Sequence, residues 1–371
     1  MSKKSVAVGL SGGVDSSVAA LMLKKAGYEV VGLFMRNWKE ESEDGVCTAE
    51  QDYADVRSVA AKLDIPYYTI DFSKEYADRV FAHFVGEYSR GRTPNPDVLC
   101  NSEIKFGPFC EFAKKIGAEY VATGHYAGVE RGSNGEIILV RADDENKDQT
   151  YFLNQLCSEQ LSNVIFPLQH LAKPEVRRIA EEAGLITARK KDSTGICFIG
   201  ERDFRKFLSQ YLPMKKGEIR DLKGKVLGEH DGVFFYTIGQ RKGFGLGGVS
   251  GEKNDAPYYV IDKDVKNNIL YVNQGECDRL YSVALATENF NIISVGFADG
   301  DEVSVRTRHR EALNPARIFK TDGGVRMEFL KPVRAVTPGQ YAVVYKGKTC
   351  LGGGVICDKT PAIGFVPPAK R

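Results

Sequence analysis

A glycine turn between a predicted strand and a predicted helix is the first stretch that could do chemistry. It reads GLSGGVDSS over residues 9–17. Gly12 and Gly13 allow the backbone to turn tightly, and the following helix contributes the positive end of its dipole, so the stretch predicts an anion site. The G-K-[ST] ending of a Walker A loop is missing, and so is G-x-G-x-x-G. The sequence therefore predicts a phosphate-binding loop of another kind.

Two of the eight cysteines raise the question of whether a thiol reacts or only packs. Cys100, in TPNPDVLCNSEIKFG (93–107), directly precedes a helical pattern that begins at Ser102, and a thiol near a helix N-terminus has a lowered pKa. Cys197 lies among small and apolar neighbours in DSTGICFIG (192–200), a setting that by itself indicates a buried packing residue. No two cysteines form a C-x-x-C pair, so zinc-ribbon spacing is absent.

A basic stretch in the last third is a candidate for binding an anionic partner. Residues 303–334 contain eight arginines or lysines and three acidic residues. Arg306, Arg308 and Arg310 alternate in SVRTRHR, and on a strand all three side chains would point to one face. A row of guanidinium groups suits phosphates, whereas a solvated strand face is the alternative.

The elements that must position these residues alternate in the first half of the chain. SVAVGL (5–10), EVVGLFM (29–35), PYYTIDF (66–72) and AEYVATGHY (118–126) are predicted strands, and helical patterns lie between them. A further helix is predicted over 173–184, with Pro174 in its first turn. Strand–helix alternation predicts a parallel sheet with helices on both faces, which we assign to a first domain at 1–205.

Beyond residue 205 the pattern becomes β-rich. GVFFYTIGQ, YYVIDKD, NILYV, EVSVRTR, VRMEFL, YAVVYKG and GGGVIC are predicted strands, and KNN (266–268) and TDGG (321–324) are predicted hairpin turns. We expect a small linking domain at 206–276 and a barrel or sandwich at 277–371.

Composition limits the class of protein without identifying a partner. The 371 residues are 43% apolar and 27% charged, and the net charge is +2. Any surface for nucleic acid must therefore be local. No stretch approaches the roughly 18 continuous apolar residues of a membrane span, and the N-terminal apolar run is too short for a secretory signal. We expect a cytoplasmic protein that does not contact membranes.

The stretch SGGVDS (11–16) matches the S-G-G-x-D-S signature, so the chain resembles the PP-loop ATP pyrophosphatases. Members of that family cleave ATP between the α and β phosphates and adenylate a substrate. The resemblance implies an adenine nucleotide alpha hydrolase-like fold, and Mg²⁺ that Asp15 helps to hold with the ATP. It places ATP at Gly9, Leu10, Ser11, Gly12, Gly13, Val14, Asp15, Ser16, Met35 and Gly124.

Five further stretches narrow this resemblance. NPDVLCNSEIKFG (95–107), TGHYA (123–127), KDQTYFL (147–153), DSTGICFIG (192–200) and TIGQRKGFG (237–245) are similar, in this order, to motifs of the bacterial tRNA-specific 2-thiouridylases. The similarity extends over essentially the whole chain and implies a β-rich linking domain and a C-terminal β-barrel after the PP-loop domain. It implies an enzyme, a tRNA-uridine 2-sulfurtransferase that thiolates the wobble uridine at position 34 with ATP.

The same resemblance implies roles for single residues. Cys197 would carry a persulfide, and Cys100 would attack it and leave a Cys100–Cys197 disulfide. The target base would leave its stack and lie beside Asn95, Pro96 and Asp97, with Asp97 handling a proton. The tRNA would contact Lys147, Asp148, Gln149, Arg306, Arg308, His309 and Arg310, although the family usually has an aromatic residue where His309 stands.

The expected partners are tRNA and a persulfide sulfur donor protein that the sequence does not identify, and we expect a monomer. Two other functions stay open. A PP-loop synthetase would activate a small substrate for attack by nitrogen and would need no cysteine. An ATP-responsive RNA-binding protein would release no pyrophosphate. An iron–sulfur cluster at Cys100, Cys197 and Asp97 is a further variant, for which the cysteine spacing offers no standard pattern.

Overall fold

The computed structural model describes residues 3–38, 48–192, 203–246 and 256–367. The helices are α1 (Val14–Lys25), α2 (Thr48–Leu63), α3 (Ser73–Tyr76), α4 (Ala82–Ser89), α5 (Pro96–Leu99), α6 (Pro108–Lys115), α7 (Ser158–Leu161), α8 (Lys173–Glu182) and α9 (Phe204–Leu208). The π-helical segment Ala77–Phe81 joins α3 to α4, and a second one, Cys100–Lys105, continues α5. Within these ranges, no helix combines the length and the apolar character that a membrane crossing needs.

The strands form three sheets. They are β1 (Ser5–Gly9), β2 (Glu29–Arg36), β3 (Tyr67–Asp71), β4 (Tyr120–Ala122), β5 (Ala127–Arg131), β6 (Ile137–Arg141), β7 (Val164–Ile165), β8 (Gly217–Arg220), β9 (Val226–His230), β10 (Tyr258–Asp264), β11 (Ile269–Gln274), β12 (Tyr281–Ile292), β13 (Asp301–Arg306), β14 (Asn314–Thr321), β15 (Gly324–Arg334), β16 (Tyr341–Lys346) and β17 (Thr349–Pro361).

The first sheet is parallel and has the order β3-β2-β1-β4-β7. Successive residues of a strand point to opposite faces of the sheet, and the central strand β1 is buried on both of its faces. Val6 and Val8 pack with Val18 of α1 in one core, whereas Ala7 packs with Phe109 of α6 in another. Helices therefore cover both faces, which confirms the predicted architecture and brings the loop after β1 to the carboxyl edge of the sheet.

The second sheet, β10-β11-β8-β9, forms the linking region. The predicted turn KNN joins β10 to β11 as an antiparallel hairpin. The prediction of a strand over GVFFYTIGQ is wrong, because residues Val233–Phe235 form a 3₁₀ turn. The Asn268 side chain accepts a hydrogen bond from the Val233 amide at 3.2 Å and stabilises this turn. The run is apolar because the turn is buried, and periodicity alone does not distinguish a buried turn from a buried strand.

The third sheet closes into a barrel in the order β12-β15-β14-β13-β16-β17, and β17 pairs back with β12. The C-terminal barrel is therefore confirmed, and the predicted turn TDGG joins β14 to β15. The hairpin β5–β6 extends this sheet, because Val140 pairs with Thr349 of β17. A hairpin from the first half of the chain thus joins the C-terminal barrel, and it carries the residues 147–150 to the barrel.

Candidate active site

The predicted phosphate loop joins the carboxyl end of β1 to the N-terminus of α1. Gly12 has a φ of +72°, and a Cβ there would lie 2.6 Å from the carbonyl oxygen of Asp52, so the position requires glycine. The Ser16 hydroxyl donates to the Gly13 carbonyl at 3.1 Å and accepts from the Ser11 amide at 3.2 Å. These bonds hold a tight turn at the sheet edge where α/β folds bind ligands.

The residues expected to bind ATP meet at this edge. Gly9, Leu10, Ser11, Gly12, Gly13, Val14, Asp15 and Ser16 form the loop and the first turn of α1. A Cβ at Gly124 would lie 2.6 Å from the Ser16 amide nitrogen, so this glycine is packed against the loop. Met35 is half-buried near the end of β2. Leu10 and Val14 are each 3% exposed, which leaves only their backbone to a ligand.

The Asp15 carboxylate is held by a lysine that the sequence analysis did not single out. Nζ of Lys173, at the start of α8, lies 2.7 Å from both carboxylate oxygens, and the Tyr126 hydroxyl donates to one of them at 2.9 Å. Burial and the Asp15 charge raise the pKa of Tyr126, so its hydroxyl stays a donor. The Asp15 side chain remains 31% exposed.

Asp15 and its neighbours could help to hold a magnesium ion that is bound to ATP. The described residues here do not form a site that would hold the ion by protein ligands alone. Asp15 offers the hard carboxylate oxygen that Mg²⁺ prefers. The described ranges contain no group of three or more His, Cys, Asp or Glu placed to hold a metal. The ion would therefore take its other ligands from phosphates and water, and it would share Asp15 with Lys173 or displace the ammonium.

A second carboxylate, Asp192, connects the loop to the predicted RNA side. Asp192 accepts from Nζ of Lys147 at 2.6 Å and from Arg177 at 2.9 Å, and its other contact is Nζ of Lys173 at 2.8 Å. Although partial burial by itself would raise the pKa of Asp192, the bonds from Lys147 and Lys173 lower it to about 2. Asp192 is also the first residue of DSTGICFIG, so the Cys197 segment starts beside the phosphate loop.

The motif NPDVLCNSEIKFG forms one helical segment over 96–105. The Asn95 side chain caps it by accepting from the Asp97 amide at 3.2 Å, and Pro96 occupies the first turn, where its missing amide costs nothing. Cys100 therefore lies inside the helical segment and not, as predicted, just before a helix that begins at Ser102. The Cys100 side chain is buried at 4% exposure. Cys197 lies outside the described residues, so its pairing with Cys100 stays a prediction.

Asp97 lies on the first turn of this segment beside Asn95. Its side chain reaches solvent, but surrounding protein displaces much of its hydration, and this desolvation raises its pKa. The positive charge of Lys105 opposes that rise without cancelling it. A carboxyl group with a raised pKa exchanges protons at a pH closer to neutrality, which suits the predicted proton handling.

Arg306, Arg308 and Arg310 do not form the predicted row on one strand face. β13 ends at Arg306, and the chain then turns, with Arg310 at a φ of +63°. Arg308 donates to the Ile238 carbonyl and to the Thr337 hydroxyl, both at 2.8 Å, so it holds protein groups. Arg306 is buried and Arg310 is exposed. The prediction from alternating residues fails here because β13 ends at Arg306, whereas the alternating arginines continue to Arg310.

Asp148 does not fit a direct contact between its side chain and RNA. The carboxylate is completely buried and accepts from Arg306 at 2.7 Å, from Arg141 at 3.3 Å and from the Thr150 hydroxyl at 2.9 Å. Two guanidinium groups offset the cost of burying its charge. Asp148 therefore fastens the KDQT segment to β13. Gln149 is half-buried, its Oε1 accepts from the Tyr126 amide at 2.9 Å, and its contact with RNA stays a prediction.

Three of the predicted RNA-binding residues border one depression. Lys147, Arg306 and Arg310 line a cavity of about 370 Å³ with Glu145 and Asn146. Among the residues that the structure describes, none accepts a hydrogen bond from Nε of the buried Arg306. Lys147 and Arg306 are also bound by Asp192 and Asp148, whereas Arg310 is exposed, so Arg310 is the strongest candidate here for a phosphate contact.

His309 keeps the aromatic character that the resemblance implies for its position. Its ring centroid lies 4.4 Å from that of Phe152 in a tilted arrangement. Burial, together with the charges of Arg310 and Arg306, lowers the pKa of His309 to about 4. The imidazole is therefore neutral near pH 7 and offers a ring face instead of a charge.

Sequence reasoning missed the charged cluster that joins these parts. Lys173 and Arg177 stand four residues apart and so share a helix face, which was the available signal in KPEVRRIAEEAG. By periodicity alone, that stretch predicts only a helix. Asp192 belongs to a recognised motif, but its partner Lys147 is 45 residues away, and no local pattern predicts such a contact.

Comparisons with known proteins agree along the whole chain. Three family models match in order: "tRNA methyl transferase HUP domain" at 4–201, "tRNA methyl transferase PRC-barrel domain" at 205–274 and "Aminomethyltransferase beta-barrel domain" at 284–356. The tRNA-specific 2-thiouridylase MnmA of Pediococcus pentosaceus is 54% identical over 361 residues, 96% of this chain and 95% of that protein. MnmA 1 of Geobacillus kaustophilus is 54% identical over 364 residues, 96% of each chain. MnmA of Staphylococcus carnosus is 52% identical over 356 residues, 95% of each chain.

Proposed function

The chain belongs to the tRNA-specific 2-thiouridylase family, and on that premise we propose that it is an ATP-dependent enzyme that replaces the C2 oxygen of the wobble uridine of tRNA with sulfur. One observation supports this most directly. Asp192 binds Lys173, the partner of Asp15 at the phosphate loop, and Lys147, which lines the basic depression. The phosphate loop, the basic depression and the start of the Cys197 segment are thus neighbours, which supports a reaction that needs ATP, RNA and Cys197 together.

The first proposed step is adenylation of the uracil C2 oxygen. The loop at 9–16 holds the phosphates with its backbone and the start of α1, and Asp15 helps to hold Mg²⁺, which screens the phosphate charge. The C2 oxygen attacks the α phosphorus, and pyrophosphate leaves. The carbonyl oxygen becomes part of AMP, a far better leaving group than oxide.

Proton handling at the base falls to Asp97. Adenylation of O2 requires the N3 proton of uracil to leave, and a carboxylate beside the base can accept it. When sulfur has replaced oxygen, the same group can return the proton to the ring. The base reaches Asn95 and Asp97 only after it leaves its stack, as in other enzymes that modify bases.

Sulfur transfer uses the two cysteines in unequal roles. The terminal sulfur of the Cys197 persulfide attacks C2 and expels AMP, which leaves Cys197 joined to the base through two sulfurs. The Cys100 thiolate then attacks the Cys197 sulfur, and the thiolated base departs with the electron pair of the broken S–S bond. The product is a Cys100–Cys197 disulfide, which an external thiol reductant returns to two thiols.

Reconstitution tests this proposal. The purified chain, an unmodified tRNA transcript, ATP with Mg²⁺ and a small-molecule persulfide should yield 2-thiouridine, with one AMP and one pyrophosphate for each sulfur transferred. Nucleoside mass spectrometry and a pyrophosphate assay measure both. A synthetase would retain its activity in a Cys197→Ala variant, and an RNA-binding protein would release no pyrophosphate. Either result contradicts the proposal. An absorbance spectrum of anaerobically purified protein separates the persulfide route from an iron–sulfur route.

A further inference from the structure

The motif TIGQRKGFG at 237–245 has no part in the proposed chemistry, yet its first four residues form a rigid turn. The Gln240 side chain accepts from the Thr237 amide at 3.0 Å. The Gly239 amide donates to the Val260 carbonyl at 2.8 Å, and the Val260 amide donates to the Gln240 carbonyl at 3.0 Å. These bonds fix the turn to β10 of the linking domain.

The turn packs directly on the barrel. Gly239 has a φ of +85°, and a Cβ there would lie 2.7 Å from Cβ of Ala335. Arg308 reaches from the barrel to the Ile238 carbonyl. The contact thus leaves no room for any side chain at position 239. The hydrogen bond from the Arg308 guanidinium to the Ile238 carbonyl stabilises it.

The turn also meets the first domain at Thr93. The hydroxyl groups of Thr93 and Thr237 lie 3.3 Å apart. The Thr93 amide donates to the Pro338 carbonyl at 2.9 Å, and its carbonyl accepts from the Gln340 side chain at 2.7 Å. All three domains therefore meet at a residue only two positions before Asn95.

The residues before Thr93 are held in the same way. Arg92 donates to Glu288 of β12 at 2.5 Å. A Cβ at Gly91 would lie 2.1 Å from a methyl group of Val265 in the linking domain. Residues 91–93 are thus clamped by the linking domain and the barrel, immediately before the segment that carries Asp97 and Cys100.

We propose that the turn at 237–240 is a positioning element that sets, through Thr93, the place of the helical segment 96–105 relative to the RNA-binding surface of the barrel. The inference rests on the proposed function, because only a reaction at Asp97 and Cys100 gives this placement a consequence. A displacement of about 1 Å can cost about a hundredfold in rate. The turn touches neither the phosphate loop nor the basic depression, so it acts on the rate of sulfur transfer and not on ATP binding.

Substitution of Gly239 by alanine tests the inference against a matched control. Gly224 lies in another turn of the same domain, has a φ of +84° and has open space where a Cβ would stand. Gly239→Ala and Gly224→Ala therefore carry the same backbone strain, but only Gly239→Ala pushes the turn away from Ala335. We expect Gly239→Ala to slow single-turnover sulfur transfer at least about tenfold relative to Gly224→Ala. We expect the affinity for a non-hydrolysable ATP analogue to stay within about twofold in both variants.

A second pair of variants avoids backbone strain altogether. Thr237→Val removes the hydroxyl that faces Thr93, and Thr237→Ser retains it. We expect up to about a fivefold slower transfer in Thr237→Val, the size of one net hydrogen bond, and recovery in Thr237→Ser. The inference is overturned if Gly239→Ala transfers sulfur as fast as Gly224→Ala, or if ATP affinity falls in parallel with the rate. A wild-type chain that forms no 2-thiouridine overturns the proposed function, and this inference with it.

Discussion

At the scale of single residues, two carboxylates of the candidate site have opposite surroundings. Asp15 is bound by the Lys173 ammonium and the Tyr126 hydroxyl. Asp97 has lost hydration, the positive charge of Lys105 offsets this loss only in part, and the pKa of Asp97 is raised. The first arrangement holds a carboxylate in place for a metal ion, and the second favours a group that takes up and releases a proton.

Asp15→Asn tests the first of these roles. Loss of the charge removes a Mg²⁺ ligand at the loop, so tRNA-dependent pyrophosphate release should fall at least about a hundredfold. Asp143→Asn is the control, because Asp143 pairs with Lys348 at the surface and should leave the rate unchanged. A normal rate of pyrophosphate release in Asp15→Asn would remove this residue from the mechanism.

Asp97→Asn tests the second role through the pH dependence of stability. A raised pKa means that ionisation of Asp97 costs free energy in the folded state, so the wild type loses stability as pH rises through its ordinary value and then its folded value. The variant should therefore melt at a higher temperature than the wild type at pH 7, and the difference should shrink as the pH falls towards about 4.

Asp264→Asn is the control of opposite sign. Asn267 donates to the Asp264 carboxylate and lowers its pKa, so loss of that charge should lower the melting temperature at pH 7. Calorimetry at several pH values measures both variants. An Asp97→Asn protein that melts like the wild type throughout would contradict the desolvation of Asp97, and undiminished thiolation would contradict its role with protons.

At the scale of elements, the arginines at and after the end of β13 have different surroundings: Arg310 is exposed and can meet RNA, whereas Arg306 and Arg308 bind protein groups. Arg310→Gln should reduce the slope of log affinity for tRNA against log salt by about one, because one phosphate contact is lost. Arg308→Gln should leave that slope unchanged, since Arg308 is committed to Ile238 and Thr337. Filter binding over a range of salt concentrations measures both, and a reduced slope for Arg308→Gln would restore the original prediction for it.

The buried carboxylate of Asp148 makes the junction between the KDQT segment and β13 a stability determinant. Asp148→Asn leaves the buried Arg306 guanidinium without its carboxylate and leaves Arg141 with the exposed Glu145, so the free energy of unfolding should fall by about 3–5 kcal/mol. Glu302→Gln, which breaks the exposed pair with Arg317, should cost no more than about 1 kcal/mol. Urea unfolding measures the free energy of unfolding of both variants. Equal losses of free energy in Asp148→Asn and Glu302→Gln would show that the Asp148 network adds nothing to stability.

Local sequence patterns predicted the elements well and their long-range partners poorly. Apolar runs, turn residues and capping signals located four of the five parallel strands, α8 and the TDGG turn of the barrel, because those signals depend on neighbours in sequence. The pairs Lys173–Asp15 and Arg306–Asp148 each join residues 158 positions apart, and their geometry exists only after folding. The β5–β6 hairpin was missed although Asn134 and Gly135 form a local hairpin signal between its strands, and only the pairing of β6 with β17 depends on the fold.

At the scale of the whole molecule, the proposed reaction requires the two cysteines to meet. Protein that has made one turnover without reductant should contain a Cys100–Cys197 disulfide, which needs Cα atoms within about 7 Å. Cys100→Ser should still accept a persulfide but fail to turn over, and Cys197→Ser should transfer no sulfur. Cys157→Ser is the control, because Cys157 is exposed and outside both motifs. Peptide mapping with labelled sulfur shows which cysteine carries the persulfide. Label on any cysteine other than Cys197 contradicts the assignment of the persulfide to Cys197.

The resemblance of ordered motifs supplied the substrate class, which the fold by itself could not. A parallel sheet with a phosphate loop serves many reactions, and the depression around Arg306 and Arg310 would suit many phosphates. The structure adds the physical connection, because Asp192 brings the loop, Lys147 and the start of the Cys197 segment into one charged cluster.

The most direct test of the central claim is the 2-thiouridine content of tRNA from cells that lack this protein. Digested tRNA from the deletion strain, from its parent and from a strain that again carries the gene can be compared by nucleoside mass spectrometry. We predict that the 2-thiolated wobble uridine disappears in the deletion strain and returns with the wild-type gene but not with Cys197→Ser. Unchanged 2-thiouridine in the deletion strain would contradict the proposed function.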